Sequence, residues 1–155
     1  MKNILEEIAA RTRERIAKEK TCISVSELEN RIQEVNKNAR QKITFLQALQ
    51  KDGMSYICEV KKASPSKGLI APDFPYLAIA KEYEQAGASA ISCLTEPFYF
   101  QGADRYLREI AAAVQIPVLR KDFTVDEYMI YQAKSLGASA VLLICAILDD
   151  GELRA

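Results

Sequence analysis

The chain has no histidine among its 155 residues. This absence excludes Ser-His-Asp and Cys-His catalysis and removes the commonest metal ligand, so no metal site is expected. The sequence is also poor in cysteine: Cys22, Cys58, Cys93 and Cys145 stand far apart and form no C-x-x-C pair. This spacing predicts reduced, buried thiols in a cytosolic protein rather than a zinc site or a disulfide framework.

Long hydrophobic runs and an excess of either charge are missing as well. The longest apolar run, Ala140 to Leu148, is shorter than the ~20 residues that a membrane-spanning helix needs. No basic-then-apolar signal segment opens the chain. Lysine and arginine total 21, as do aspartate and glutamate, which argues against nucleic acid or an anionic membrane as the main partner. We therefore expect a cytoplasmic protein that is one domain or part of one.

The first 52 residues have the pattern of a helical extension. Residues 2–18 mix isoleucine and leucine with dense charges, which is typical of an amphipathic surface helix. The arginines of this helix alternate with acidic residues and are predicted to lie on a solvent-exposed face. A second helical stretch is predicted from about Ser26 to Gln50, where Lys51-Asp52-Gly53 interrupts it.

From residue 53 the pattern changes to short apolar runs alternating with helices. Strands are predicted at Tyr56–Lys61, Ala90–Thr95, Ile116–Lys121 and Val141–Ala146. Thr124 with Glu127 predicts a capping box that opens the helix after the third strand. Another helix start follows the fourth strand, at Asp149–Glu152.

An internal repeat supports this alternation. Gly-Ala-Ser-Ala occurs at residues 87–90 and again at 137–140, each time where a helix ends and a strand begins. The repeat indicates either a regular series of two-unit blocks or simply favourable helix-to-strand chemistry, and both support a strand–helix series. An eightfold barrel takes ~250 residues. We therefore expect an α/β fold of the TIM (βα)8 barrel class, in which residues 53–155 form the first half of the barrel, cut short.

Charged residues on the predicted strands are the candidate site. Glu59 and Lys61 point to the same face because they lie two apart, and charges there are costly unless they are paired or used. We expect both to face the barrel interior near its C-terminal mouth, where barrel enzymes keep their chemistry. Lys121 ends the third strand and is the inward candidate, with Arg120 pointing outward. A structural ion pair and a lysine reaching solvent at a strand end remain equally open.

Two loops are weaker candidates. Ser64–Gly68 offers hydroxyl groups and backbone donors for an anion, although such clusters are mostly plain turns. Residues 95–102 place three aromatic side chains after the second strand, either to line an aromatic ligand pocket or to cover the end of the sheet.

Taken together, these segments resemble indole-3-glycerol-phosphate synthase over the whole chain. The segments that carry the resemblance are Phe45–Leu49, Glu59–Gly68, Leu94–Glu96, Phe100–Gly102 and Leu119–Phe123. The Glu-x-Lys-x-x-Ser-Pro-Ser block and the Lys-Asp-Phe block, in the right order and spacing, form a highly specific pair. The resemblance implies a (βα)8 barrel that converts 1-(2-carboxyphenylamino)-1-deoxyribulose 5-phosphate to indole-3-glycerol phosphate, releasing carbon dioxide and water without a cofactor.

The resemblance also implies roles for individual residues. Lys121 matches the general acid that promotes ring closure. Lys61 matches the lysine that holds the anionic groups of the substrate and assists dehydration, and Glu59 matches the carboxylate that orients it. The residues that match substrate contacts are Ser64, Phe100, Phe123 and Leu142. The family's catalytic glutamate on a later strand, its asparagine and its phosphate-binding loops lie beyond Ala155.

Two other interpretations remain open. One is a different sugar-phosphate barrel such as phosphoribosylanthranilate isomerase, although that isomerase is expected to use a Cys/Asp pair rather than paired lysines. The other is a non-catalytic half-barrel that works by association. In either case a four-strand piece leaves its edges unpaired, so we expect self-association through the open face.

Overall fold

The computed structural model describes residues 3–38 and 43–154. Three helices come before the first strand: α1 (Ile4–Cys22), α2 (Val25–Asn38) and α3 (Phe45–Leu49). The second predicted helix is thus two helices in the structure, and residues 39–42 of that prediction lie outside the described part. Thr44 and Gln47 form the capping box that begins α3. None of the described helices is long and apolar enough to cross a membrane.

The strands form one parallel sheet and one small hairpin. The strands are β1 (Ile57–Val60), β2 (Ala63–Ser64), β3 (Gly68–Leu69), β4 (Ala90–Leu94), β5 (Val118–Lys121) and β6 (Ala140–Val141). The parallel sheet has the order β1-β4-β5-β6, and β2 pairs with β3 in antiparallel fashion. Neighbouring strands in the sheet are therefore consecutive strand–helix units, as in half of a parallel barrel.

Helices cover one face of this sheet. They are α4 (Tyr76–Gln85), α5 (Asp104–Ala113) and α6 (Tyr128–Ser135), with α7 (Asp150–Arg154) near the end of the chain. One residue from each of three strands, Val60, Ile91 and Val118, belongs to the same buried apolar cluster as Leu107 and Ile110 of α5. This helix-facing side contains the hydrophobic core, which leaves the other side of the strands for polar groups.

The fourth strand is shorter than the sequence indicated. Only Ala140 and Val141 pair with β5, opposite Leu119 and Arg120, and the chain then turns. Because β5 ends at Lys121, the residues after Leu142 have no strand beside them with which to form backbone hydrogen bonds. The prediction of a strand over Val141–Ala146 was therefore wrong beyond its first residue.

The predicted capping box after the third strand is also absent. The backbone N–H of Tyr128 donates instead to Oδ1 of Asp126 at 2.9 Å, and Glu127 at the helix start makes no side-chain capping bond. An acidic side chain two residues before the helix thus takes the role assigned to Thr124. The predicted helix start at Asp149 is confirmed, because Asp149 and Glu152 accept each other's backbone N–H.

The cysteines are free but not uniformly buried. Cys93 is fully buried on β4, where desolvation raises the pKa of its thiol to about 12. Cys58 is half-buried, whereas Cys22 and Cys145 are exposed. The prediction of buried thiols was therefore wrong for the last two.

The Gly-Ala-Ser-Ala repeat forms two equivalent junctions. Gly87 has a φ of +91° and Gly137 a φ of +88°, in the left-handed region that residues with a side chain rarely adopt. The N–H of Ser89 donates to the carbonyl of Tyr56, and that of Ser139 donates to the carbonyl of Val118, both at 2.8 Å. Each junction thus ends a helix and starts the next strand beside its neighbour.

Candidate functional site

A carboxylate lies between two lysines at the C-terminal edge of the sheet. The Lys61 Nζ is 2.7 Å from Glu59 Oε1, and the Lys121 Nζ is 3.5 Å from Glu59 Oε2. About a third of each side chain is exposed, at 30% for Glu59 and 34% for each lysine. Two cations and one anion, open to solvent, leave this cluster with a net positive charge that suits an anionic ligand.

Strand parity explains why these three side chains meet. Glu59 lies opposite Ser92 of β4, and Leu94 of β4 lies opposite Lys121 of β5. Glu59, Lys61 and Lys121 share the sheet face that points away from the helices, because the residues that alternate with them along the strands point toward the helices. All of the strands run in the same direction, so their carboxyl ends meet at one edge of the sheet. The structure therefore brings Glu59, Lys61 and Lys121 together at the edge of the inward face on which the sequence placed each of them.

A buried ionic network lies directly beneath this edge. Asp122 follows Lys121 and has a fully buried carboxylate. Its two oxygens accept bonds from Arg15 Nη2 of α1 at 3.1 and 3.0 Å, and Oδ2 also accepts the Thr95 hydroxyl at 2.7 Å. Burial alone would lower the pKa of Arg15, but the Asp122 carboxylate outweighs it and holds that pKa above its usual value. The network therefore joins α1 to the strand that carries Lys121.

Arg120 extends the same network on the helix side of the sheet. Its side chain is 1% exposed, and its Nη2 lies 2.9 Å from Asp104 Oδ1. Its Nε donates to the Thr95 hydroxyl at 3.1 Å, and its Nη1 donates to the carbonyl of Met129 at 3.2 Å. The outward direction predicted for Arg120 holds, although its burial was not foreseen.

The first helix covers the mouth of the sheet. Ile8, Ala9 and Ile16 of α1 belong to a second apolar cluster that also contains Phe123, with Phe100 packed against it. The rings of Phe100 and Phe123 are 6.5 Å apart. The two aromatic residues assigned to the substrate pocket are thus neighbours beneath α1.

The arginines of α1 are not uniformly solvent-exposed. Arg11 lies over the ring of Phe98, with its guanidinium carbon 4.5 Å from the ring centroid. Arg15 is mostly buried against Asp122. The prediction of a solvated basic face was therefore wrong for Arg15, since alternation of charge along a helix does not show which residues meet a partner from elsewhere in the fold.

The other candidate residues lie at the same edge of the sheet but outside the charged cluster. Ser64 is 9% exposed, and its hydroxyl accepts the backbone N–H of Lys67 at 3.3 Å, as in a plain turn. Leu142 directly follows β6 and is half-buried. Within the described ranges, no group of three or more His, Cys, Asp or Glu side chains is placed to hold a metal ion.

The sequence singled out segments that contain Thr95, Glu96 and Asp122 but predicted no role for these three residues. All three are buried polar residues at strand ends, with relative exposures of 1–2%. The available signal was position, because polar residues directly after buried parallel strands converge at one edge. Their partners come from α1 and from neighbouring loops, which local sequence does not specify.

Comparisons with known proteins point to one family. The family model for indole-3-glycerol phosphate synthase matches residues 5–155. The chain is 53% identical over 151 residues to the indole-3-glycerol phosphate synthase of Lacticaseibacillus paracasei, covering 97% of this chain and 57% of that protein. It is 51% identical over 152 residues to the enzyme of the same name from Ruminiclostridium cellulolyticum, again covering 97% and 57%. The chain therefore spans somewhat more than half the length of these curated relatives.

Proposed function

The chain belongs to the indole-3-glycerol phosphate synthase family, and from this premise we propose that it supplies the lysine pair of a synthase active site. The reaction converts 1-(2-carboxyphenylamino)-1-deoxyribulose 5-phosphate to indole-3-glycerol phosphate with loss of carbon dioxide and water. The observation that carries this proposal is the placement of Glu59 between Lys61 and Lys121 at the carboxyl edge of the parallel sheet.

Each charged residue has a distinct role in the proposal. Lys121 acts as the general acid that protonates the substrate during ring closure. Lys61 binds the anionic groups of the substrate and assists the later loss of water. Glu59 orients Lys61 through the 2.7 Å ion pair. A substrate with a carboxylate and a phosphate is suited to a site with two exposed ammonium groups.

The apolar part of the proposed site accommodates the aromatic ring. Phe123 comes two residues after Lys121, and its ring forms an aromatic wall with that of Phe100, 6.5 Å away. Leu142 follows the neighbouring strand, and Ser64 lies after β1 with its hydroxyl available to a ligand once it leaves Lys67. The proposal includes no cofactor, because protonation, decarboxylation and dehydration need only acid–base groups.

A chimeric protein tests the proposal. It consists of the whole chain followed by the C-terminal portion of the Lacticaseibacillus paracasei relative that lies beyond the matched region. We expect turnover in the chimera and none above background in the chain alone. Catalytic groups that act together lose most of their effect when some of them are absent. Lys121→Ala and Lys61→Ala should each lower turnover in the chimera by at least ~100-fold, the usual scale for a positioned acid–base group.

Lys81→Ala is the matched control, because Lys81 is an exposed lysine on α4. It should leave turnover unchanged. Near-wild-type turnover after Lys61→Ala or Lys121→Ala contradicts the role given to that lysine, and an inactive chimera with a native circular dichroism spectrum contradicts the proposal as a whole.

We also propose three features of the chain as a whole. Residues 1–52 act as a helical extension and residues 53–155 as the first half of a (βα)8 barrel, in a cytoplasmic enzyme. The open edges of the sheet, at β1 and β6, support association with a second copy. The exposed side chains Tyr56 and Ile57, at 58% and 48%, place apolar surface at the first of these edges.

A further inference from the structure

The loop between β4 and α5 is built around one buried carboxylate. Glu96 is 1% exposed. Its Oε1 accepts the backbone N–H of Phe98 at 3.0 Å, and its Oε2 accepts those of Tyr99 at 2.7 Å and Phe100 at 3.0 Å. Three successive backbone donors therefore converge on a single side chain, and they replace the water that a buried carboxylate loses.

The far end of the same loop is fixed by close backbone approach. The N–H of Gly102 donates to the carbonyl of Glu96 at 2.8 Å. A Cβ at Gly102 would lie 2.6 Å from the carbonyl oxygen of Leu94, so no other residue fits without a shift of backbone. Gln101, the residue before it, has a positive φ of 50°. The conformation of the loop is thus held by Glu96 from inside and by Gly102 at its end.

This conformation determines where Phe100 lies. The N–H of Phe100 is bonded to Glu96, and its ring lies 6.5 Å from that of Phe123 at an interplanar angle of 38°. Phe123 comes two residues after Lys121 and is 7% exposed. A displacement of the loop backbone would therefore open the aromatic wall without touching the charged cluster.

We propose that Glu96 is a positioning residue that holds Phe100 against Phe123 and so sets the affinity of the site for the aromatic ring of the substrate. This inference rests on the proposed synthase function. Glu96 has no contact with the lysine pair in the described part of the chain, so it acts on binding rather than on proton transfer. Its charge matters because three N–H donors need more acceptor capacity than one amide oxygen provides.

The test is the steady-state kinetics of Glu96→Gln in the chimera. We expect KM to rise about 10-fold or more, the scale for impaired packing of a ligand in an apolar pocket. We expect kcat to change little, since the interaction lost is the same in the ground state and in the transition state. Glu96→Asp keeps the charge on a shorter side chain and should give an intermediate KM. This variant also serves as the test if Glu96→Gln does not fold.

Glu84→Gln is the matched control. Glu84 also accepts two backbone bonds, from the N–H groups of Gln115 at 2.6 Å and Ile116 at 3.1 Å, but it does so at the opposite end of the strands. A purely structural effect of losing such bonds would appear in both variants. We expect both substitutions to lower thermal stability, Glu96→Gln more so because its carboxylate is buried, and only Glu96→Gln to raise KM.

A double-mutant cycle with Phe100→Ala identifies the route of the effect. If Glu96 acts through Phe100, then Glu96→Gln adds no further increase of KM in the Phe100→Ala background. Additive effects, or an unchanged KM in Glu96→Gln, overturn the inference even where the lysine variants behave as proposed.

An inactive chimera contradicts the proposed function instead. The same variants are then compared in the chain itself by titration with anthranilate, and binding is measured by the fluorescence of the anthranilate. Equal affinities in that titration also overturn the inference.

Discussion

Asp122 is a fully buried carboxylate with four partners at the mouth of the sheet. It accepts bonds from Arg15, from Thr95 and from the N–H of Phe123, and it lies 3.6 Å from Arg120. A buried carboxylate between two guanidinium groups is stable only while all members are present, because each charge has lost its water. Loss of Asp122 would leave the mostly buried Arg15 with Glu19 alone, at 3.9 Å, whereas Arg120 would keep its pair with Asp104.

We therefore expect Asp122→Ala to destabilise the chain by about 3–5 kcal/mol, the cost of breaking a buried ion pair from one side. The measurement is urea unfolding followed by circular dichroism. Arg31→Ala is the control, because Arg31 pairs with Glu27 on an exposed face of α2 and exposed pairs contribute at most about 1 kcal/mol. Equal effects of the two substitutions would show that the Asp122 network adds nothing to stability.

The helix α1 is fastened to the loop after β4 as well as to Asp122. The hydroxyl of Tyr99 donates to Glu7 Oε1, and Arg11 lies over the ring of Phe98. The bond to Glu7 is the main cause that raises the pKa of Tyr99 above its usual value of 10. A raised pKa means that the folded state favours the protonated phenol, so this stabilisation is present below pH 10 and is lost as the pH rises through the folded pKa.

Docking of α1 should therefore weaken at strongly alkaline pH. Amide hydrogen exchange of residues 4–22, corrected for the intrinsic rate, should speed up above pH 10 relative to that of β5. Tyr99→Phe removes this titrating group and should reduce the dependence. The remainder belongs to Tyr128, whose hydroxyl donates to the carbonyl of Ile23 at the end of α1 and whose pKa is raised mainly by burial. The variant also separates Tyr99 from Tyr76, whose pKa is raised by its bond to Glu109 on α5. An identical pH profile in Tyr99→Phe would contradict the assignment.

At the scale of elements, sequence periodicity predicted the strand–helix series and the shared inward face of Glu59, Lys61 and Lys121. Both follow from local rules, namely alternation along a strand and the common direction of parallel strands. The same rules could not predict the end of β6, because that depends on where β5 stops pairing. Nor could they predict the burial of Arg15, whose partner Asp122 is 107 residues away along the chain.

The whole molecule has a sheet with two free edges among the described residues. β1 pairs only with β4, and β6 only with β5. Because the strands are parallel, a two-fold axis along them would bring β6 of one copy beside β1 of the other with strands still parallel, closing an eight-stranded ring. Free edges bordered by apolar residues favour such pairing over a monomer.

We therefore expect the chain to form dimers or larger oligomers. Light scattering across a concentration series should give a mass above that of the monomer at micromolar concentration. Ile57→Lys places a charge at the β1 edge and should lower that mass, whereas Ile4→Lys, at a similarly exposed isoleucine on α1, should not. A sharp monomer mass with cooperative unfolding would refute the expectation.

The two glycine junctions have a consequence for how such a chain can change by recombination. Residues 87–90 and 137–140 have the same sequence, and in each junction the serine N–H donates to a carbonyl at the start of an earlier strand, that of Tyr56 directly before β1 or that of Val118 in β5. An unequal crossover between them would delete or duplicate a block of 50 residues while leaving every junction chemically intact. The block carries one whole pair of strand–helix units, so such an event would lengthen or shorten the sheet by two strands at once.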